Sequence, residues 1–265
     1  MFLIYSNIIV SVSTGLLGAG FCKMMGIDDP EIFGMFAATS TFVVYNGQRL
    51  IKSASLFSTP WLHWVSRHKL TLVVFIACSA ICSLTALLYW LNISTISLIL
   101  LTLVGALSIF YIQKIGGRNL RDLPALKIHI ISLTWVLVIV VLPLVNGQKL
   151  ENLVVIATAH YCYIVAVTIP FDIRDLKYDE PRQLTIPQLL GVKVSKIVSI
   201  TLLVIFAVIM IAFLPELMES AWFYLAIVSQ AVLISFMNER NGDLYCAGLI
   251  DGSIALLGIS YYLTV

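Results

Sequence analysis

The chain has 265 residues, of which 60% are hydrophobic and 11% charged, with a mean hydropathy of +1.00. A soluble domain carries about a quarter charged residues, so this balance excludes an ordinary water-soluble globule and points to one integral membrane domain over residues 1–265. The formal net charge of +2 gives no reason to expect nucleic acid, because the basic residues fall where membrane orientation requires them.

Apolar stretches of roughly 20 residues, enough to cross a bilayer as helices, begin with Leu3–Cys22, Glu31–Asn46, Leu70–Leu91, Ser94–Gln113 and Lys127–Asn146. Glu151–Pro170, Val194–Leu214, Ser220–Asn238 and Leu244–Thr264 follow. The expected fold is therefore all-α, a bundle of nine transmembrane helices. The first stretch lacks a basic leader and a small-residue cleavage site, so it reads as a retained helix and not a signal peptide.

Charge placement agrees with that count. Connections after even-numbered helices hold fourteen of the sixteen Lys and Arg residues, leaving only Lys23 and Lys149 on the other side. The positive-inside rule then puts the N-terminus in the cytoplasm and the C-terminus outside. The long connections, Gly47–Lys69, Lys114–Leu126 and Phe171–Lys193, all fall on the cytoplasmic side. Long loops kept by a compact bundle are usually functional, so these are expected to cap a central cavity that admits apolar substrate from the lipid.

Phe171-Asp172-Ile173-Arg174-Asp175-Leu176-Lys177-Tyr178-Asp179 follows the sixth stretch. On a helix its carboxylates, spaced by three and four residues, share one face, so Asp172, Asp175 and Asp179 can converge at the membrane surface. Their mutual repulsion would be relieved by a cation, and Mg²⁺ suits carboxylate oxygen and phosphate. A solvated, charge-mixed loop is the competing reading, since Arg174, Lys177 and Arg182 are interleaved.

Among the other polar residues, Asp251 lies inside the last span, where an ionisable group is costly and usually functional or paired. It is expected to face the cavity. His160, mid-span, reads as a hydrogen-bonding group between helices. His63, His68, Trp61, Trp64, Arg67 and Lys69 read as an interfacial anchor. The five cysteines lie in or beside apolar spans without metal-site spacing and read as packing, with no disulfides inferred.

The acidic motif, followed by Gln183-Leu184-Thr185-Ile186-Pro187-Gln188-Leu189-Leu190-Gly191, closely resembles the second aspartate motif of the UbiA-type membrane prenyltransferases and its trailing segment. Tyr111-Ile112-Gln113-Lys114 resembles the family's tyrosine-and-lysine signature, and Arg121-Asp122-Leu123-Pro124-Ala125-Leu126-Lys127 resembles its loop entering helix five. The resemblance implies transfer of an isoprenyl group from a prenyl diphosphate to a lipophilic acceptor. It also implies Mg²⁺ held between aspartate motifs after helices two and six. Carried over by position, Asp172, Asp175 and Asp179 would be catalytic metal ligands, and Lys114, Arg118, Arg121 and Lys177 would contact diphosphate, with Tyr111 beside them.

After helix two the family pattern is Asn-Asp-x-x-Asp-x-x-x-Asp. Here Asn46 remains, but Gly47, Leu50 and Ala54 stand at the aspartate positions, and no carboxylate occurs between Glu31 and Asp122. One metal site is thus better supported than two. Arg49 and Lys52, three apart, can share a helical face and meet a diphosphate directly, beside Asn46. Against this, Asn146-Gly147-Gln148-Lys149-Leu150 nearly repeats Asn46-Gly47-Gln48-Arg49-Leu50 on the opposite side. Asn-Gly is a common helix stop, so the pentapeptide also reads as punctuation. Two functions follow: a divergent Mg²⁺-assisted prenyltransferase, or a catalytically inactive relative that binds an isoprenoid lipid or a membrane partner.

Overall fold

The computed structural model describes residues 2–52, 60–111, 123, 125–177, 179 and 183–265, and every regular element among them is helical. In chain order these are α1 (Phe2–Tyr5), α2 (Ile8–Met24), α3 (Pro30–Lys52), α4 (Pro60–Arg67), α5 (Lys69–Trp90) and α6 (Thr95–Phe110). Then come α7 (Leu126–Val136), α8 (Leu142–Asn146), α9 (Leu153–Asp175), α10 (Ile186–Phe213), α11 (Ala221–Ser235) and α12 (Asp251–Thr264). A π-helical stretch, Leu137–Val141, joins α7 to α8, and another, Leu244–Ile250, leads into α12. Among the described residues five continuous stretches are long and apolar enough to cross a membrane: Lys69–Trp90, Leu126–Asn146, Leu153–Asp175, Ile186–Phe213 and Leu244–Thr264. The expected all-helical fold is thus observed, and five of the nine expected spans have the length and apolarity of multi-pass membrane helices.

The bundle closes around α2, which packs between α3 and α12. Small residues make this possible. A Cβ added to Gly20 would stand 2.0 Å from the Gly258 carbonyl oxygen, so the α2 and α12 backbones touch. Close backbone approach through small residues is how apolar helices gain packing energy where lipid offers no hydrophobic contrast. Above that contact Leu17, Phe21, Tyr163, Phe206, Phe223 and Tyr261 fill the core, each 1% exposed or less. His160 sits among them as expected. Its Nδ1–H donates to the Ile156 carbonyl at 2.9 Å, its Nε2 accepts from the Tyr261 hydroxyl at 3.3 Å, and Phe21 and Phe206 meet it edge-on.

Pro170 lies inside α9 and leaves the Ala166 carbonyl without its helical donor. The Ser199 hydroxyl of α10 donates to that oxygen at 2.6 Å, which welds the two helices where water could not serve. The outer helices carry lipid-type surfaces: Leu70, Ile81 and Leu88 of α5 are all more than 60% exposed. The five cysteines are free thiols, and α4 folds against the bundle with Val65 fully buried near Phe42 and Leu72.

The expected Phe171–Lys193 connection is shorter than its sequence suggests, since α9 runs on to Asp175 and α10 begins at Ile186 rather than Val194. Two boundaries near the N-terminus also differ from expectation, and one interaction accounts for both. The first span is broken at Ser6-Asn7, where Asn7 takes a left-handed conformation with φ 56°. The second does not stop at Asn46-Gly47 but runs to Lys52. Asn46 is fully buried; its amide nitrogen donates to the Ser6 carbonyl (2.9 Å) and the Phe42 carbonyl (3.0 Å), and its side-chain oxygen accepts from Asn7 (3.1 Å). The side chain that reads as a helix stop is engaged in a tertiary clamp on the N-terminal segment, so the helix continues past it.

Candidate functional site

Where α3, α6 and α9 end and α7 begins, the bundle encloses a cavity of about 270 Å³. Its wall is apolar along Ile4, Val10, Val44, Ile130, Ile164 and Val167, with Tyr45, Tyr111 and Trp135 adding aromatic surface. One end is charged: Arg49, Lys127, Asp172, Arg174, Asp175, Asp243 and Asp251 all contribute to it. The chamber is amphipathic, a greasy slot with an ionic pole.

The pole is built by α9 and its continuation. Helical spacing brings Asp172 and Asp175 to one face, and the Asp179 N–H donates to the Asp175 carbonyl at 2.8 Å, carrying the turn onward. The three carboxylates converge, as the spacing predicts. At their meeting point stands a cation from the chain itself. Lys127 Nζ lies 2.8 Å from Asp172 Oδ1, 3.1 Å from Asp179 Oδ2 and 3.9 Å from Asp175 Oδ2. Local structure fixes that lysine in the first turn of α7. Ala125 caps the turn at φ 58°, and its N–H donates to the Gln183 carbonyl at 2.9 Å, tying the start of α7 to the segment after the acidic motif.

Arg174 completes the ionic frame. Its Nε is 2.8 Å from Asp175 Oδ1 and a terminal nitrogen is 3.2 Å from Asp243 Oδ1, so it links α9 to the turn before the Leu244–Ile250 π stretch. Asp251, 8% exposed, follows that stretch and faces the cavity as expected. A π turn displaces the helical register, a common way to aim a side chain at a functional space. Arg49 also reaches the cavity. It donates to the Tyr5 carbonyl at 2.6 Å, and its guanidinium lies 5.4 Å from the Trp61 ring centroid.

The remaining expected residues divide three ways. Tyr111 lines the cavity with Arg49 and Asp251. Asn46 is engaged in the N-terminal clamp, and Lys177 is exposed outside the cavity wall. The Lys52 side chain and Lys114, Arg118 and Arg121 lie outside the described residues. Sequence reasoning did not single out Lys127, Arg174 or Asp243 as site residues. The argument that found Asp251, an ionisable group within an apolar helix, would also have found Lys127.

In charge and donor type these side chains are of the kind a small divalent cation takes, but their arrangement with Lys127 between them is not a metal-binding one. Among the described residues, five carboxylates (Asp172, Asp175, Asp179, Asp243 and Asp251) face three cations (Arg49, Lys127 and Arg174), a formal excess of two negative charges. Three carboxylates point at one position and Lys127 Nζ holds it; among the described residues no grouping of three or more His, Cys, Asp or Glu side chains, this one included, is placed to hold a metal ion as it stands. The Asp172 side chain is 1% exposed, and its Oδ2 has no hydrogen-bond partner among them. Comparison with known proteins returns no matching family model, no matching characterised protein and no matching solved structure.

Proposed function

We propose that the chain is a divergent UbiA-type membrane protein that moves an isoprenyl group from a prenyl diphosphate to a lipophilic acceptor. In this reading nine helices span the membrane, the N-terminus is cytoplasmic, and the connections after α3, α6 and α9 cover the cavity on that side. One observation carries the proposal. A single cavity joins an apolar wall to a pole where three carboxylates meet at a cation position, which is the shape and polarity of an amphiphile with a greasy chain and an anionic head.

The residues divide the work by chemistry. Ile4, Val10, Val44 and Ile164 take the hydrocarbon chain, which gains about 25 cal/mol for each Å² of apolar surface removed from water. Arg49 and Arg174 meet phosphate oxygens, where a planar guanidinium offers paired donors. As the allylic carbon–oxygen bond breaks, negative charge grows on the leaving oxygen, and fixed cations at the pole stabilise it. Magnesium held by Asp172, Asp175 and Asp179 would supply further charge withdrawal from the diphosphate. Tyr45, Tyr111 and Trp135 present aromatic faces to the allylic cation and shield it from water.

A second reading, binding without catalysis, is favoured by a specific observation: Lys127 occupies the position where the carboxylates meet, and the α3 side offers Gly47 and Leu50 where the family has aspartates. The two readings separate in one experiment. Purified protein is incubated with radiolabelled prenyl diphosphates of several lengths and extractable phenolic acceptors, with and without Mg²⁺. Label transferred to acceptor, and lost in Asp175→Ala, supports the enzyme. Saturable retention of intact diphosphate without transfer supports the binder, and neither retention nor transfer rejects both.

A further inference from the structure

The Lys127 contacts carry a consequence of their own. The ammonium is a compact unit charge on a flexible four-carbon stem, and it sits between carboxylates of Asp172, Asp175 and Asp179 at 2.8, 3.9 and 3.1 Å. The backbone beneath it is fixed by the Ala125–Gln183 hydrogen bond, whereas the stem borders the cavity. Asp172 is 1% exposed; its Oδ1 pairs with Lys127, and its Oδ2 has no hydrogen-bond partner among the described residues. A buried carboxylate oxygen left in this way retains coordinating capacity that one ammonium does not exhaust. Arg174 holds Asp175 and Asp243 from the other side, so the frame does not depend on Lys127 alone.

We propose that Lys127 is a built-in counterion that competes with a divalent cation for Asp172, Asp175 and Asp179, and so keeps the acidic cluster from loading metal by itself. Two cations cannot share that point, because their repulsion in a poorly screened site is severe. The divalent ion therefore enters only as the ammonium leaves. A phosphate group in the cavity is the chemistry that would draw it away, since the same lysine borders that space. The inference deepens the proposed reading at the same site, but its test uses no prenyl substrate, so the two fail separately.

The test measures Mn²⁺, as a paramagnetic divalent probe, on the purified full-length chain without phosphate, by loss of the free-ion resonance signal. Lys127→Gln is expected to bind Mn²⁺ about tenfold or more tightly than the wild type. Lys127→Arg, which keeps a cation, is expected to match the wild type. Adding Asp172→Asn to Lys127→Gln is expected to remove the gain. Equal affinity in wild type and Lys127→Gln overturns the proposal. If Lys127→Gln is too unstable to purify without metal, its melting temperature in membranes decides. A rise with Mn²⁺ absent from the wild type supports competition, and no rise overturns it.

Discussion

Asn46-Gly47-Gln48-Arg49-Leu50 and Asn146-Gly147-Gln148-Lys149-Leu150 are nearly the same pentapeptide with opposite structural outcomes. In the second, α8 ends at Asn146, and Gln148 turns the chain with φ 54°. Its asparagine satisfies the neighbouring helix end: the side-chain oxygen accepts from the Asn92 N–H at 2.7 Å, and the amide donates to the Trp90 carbonyl at 3.3 Å. In the first, α3 continues six residues past the asparagine to Lys52, because Asn46 is held by Ser6, Asn7 and Phe42. Local propensity for a stop is the same in both. Tertiary hydrogen bonding decides which one stops, and continued helix carries Arg49 into the cavity while Lys149 stays away from its wall.

Removing the clamp should have the largest effect. Asn46→Leu strips Asn7 and Ser6 of buried partners, and each buried group left unsatisfied costs about 1–3 kcal/mol. A loss of about 2–4 kcal/mol is expected in reversible denaturant unfolding in detergent. Faster amide exchange should appear at α1 and the start of α2. Normal stability with unchanged exchange there would show that the clamp does not hold the N-terminal segment.

Arg49→Ala tests the consequence for the site. If the continued helix matters because it delivers a phosphate contact, diphosphate affinity should fall by about 1.5–3 kcal/mol, as for hydrogen bonds to charged groups. Lys149→Ala should leave it unchanged. Lysine at position 49 should rescue only in part, since the fork that meets both Tyr5 and a ligand is lost. An unchanged dissociation constant in Arg49→Ala removes Arg49 from the proposed contacts and puts the pair of pentapeptides on an equal footing.

The limits of the sequence reading follow the same logic. The apolar helices were legible because bilayer thickness imposes length and hydropathy together, with five of the nine expected spans long and apolar enough to cross, and the convergence of Asp172, Asp175 and Asp179 was legible because helical spacing is local. Lys127 could have been singled out as an ionisable group at an apolar span, but its meeting with the three carboxylates could not, because that depends on Ala125 bonding to Gln183, a contact between two connections distant in sequence. The segment Thr185–Gly191, which resembled a family motif, has a plain local role as well. The Thr185 N–H donates to Gln188 Oε1 at 3.0 Å, Pro187 sits in the first turn, and Gly191 at φ 74° kinks α10. A motif can therefore be read correctly as a segment while its chemistry remains a matter of what packs against it.

A smaller effect is expected at the true stop. Asn146→Ala removes the partners of Asn92 and Trp90, and at the half-buried Asn92 contact water can partly substitute. About 1–2 kcal/mol is expected, less than for Asn46→Leu. An equal or larger loss would reverse the ranking and mean that the α8 end, not the N-terminal clamp, is the more tightly held of the two.

The finest test changes the shared glycine. Gly47 is in the interior of α3, and a Cβ there meets nothing within 4 Å. Gly47→Ala should stabilise the chain by about 0.5–1 kcal/mol, the helix-interior difference between the two residues. Gly147 has φ −83° and ψ 3°, which any residue adopts, so backbone strain is no obstacle. Space is: an added Cβ would lie 2.9 Å from Ile27 Cγ1, and Ile27 is only 5% exposed. Gly147→Ala should therefore cost about 1 kcal/mol, at the low end for overpacking because only one side chain must shift. The opposite signs are the prediction, and Ile27→Val supplies its control. Shortening that side chain should reduce the cost of Gly147→Ala and leave the gain from Gly47→Ala untouched, since contacting residues couple and distant ones add. If both substitutions instead stabilise to the same degree, with no coupling to Ile27, the two glycines would be equivalent helix residues and the tertiary distinction between the pentapeptides would fail at this position.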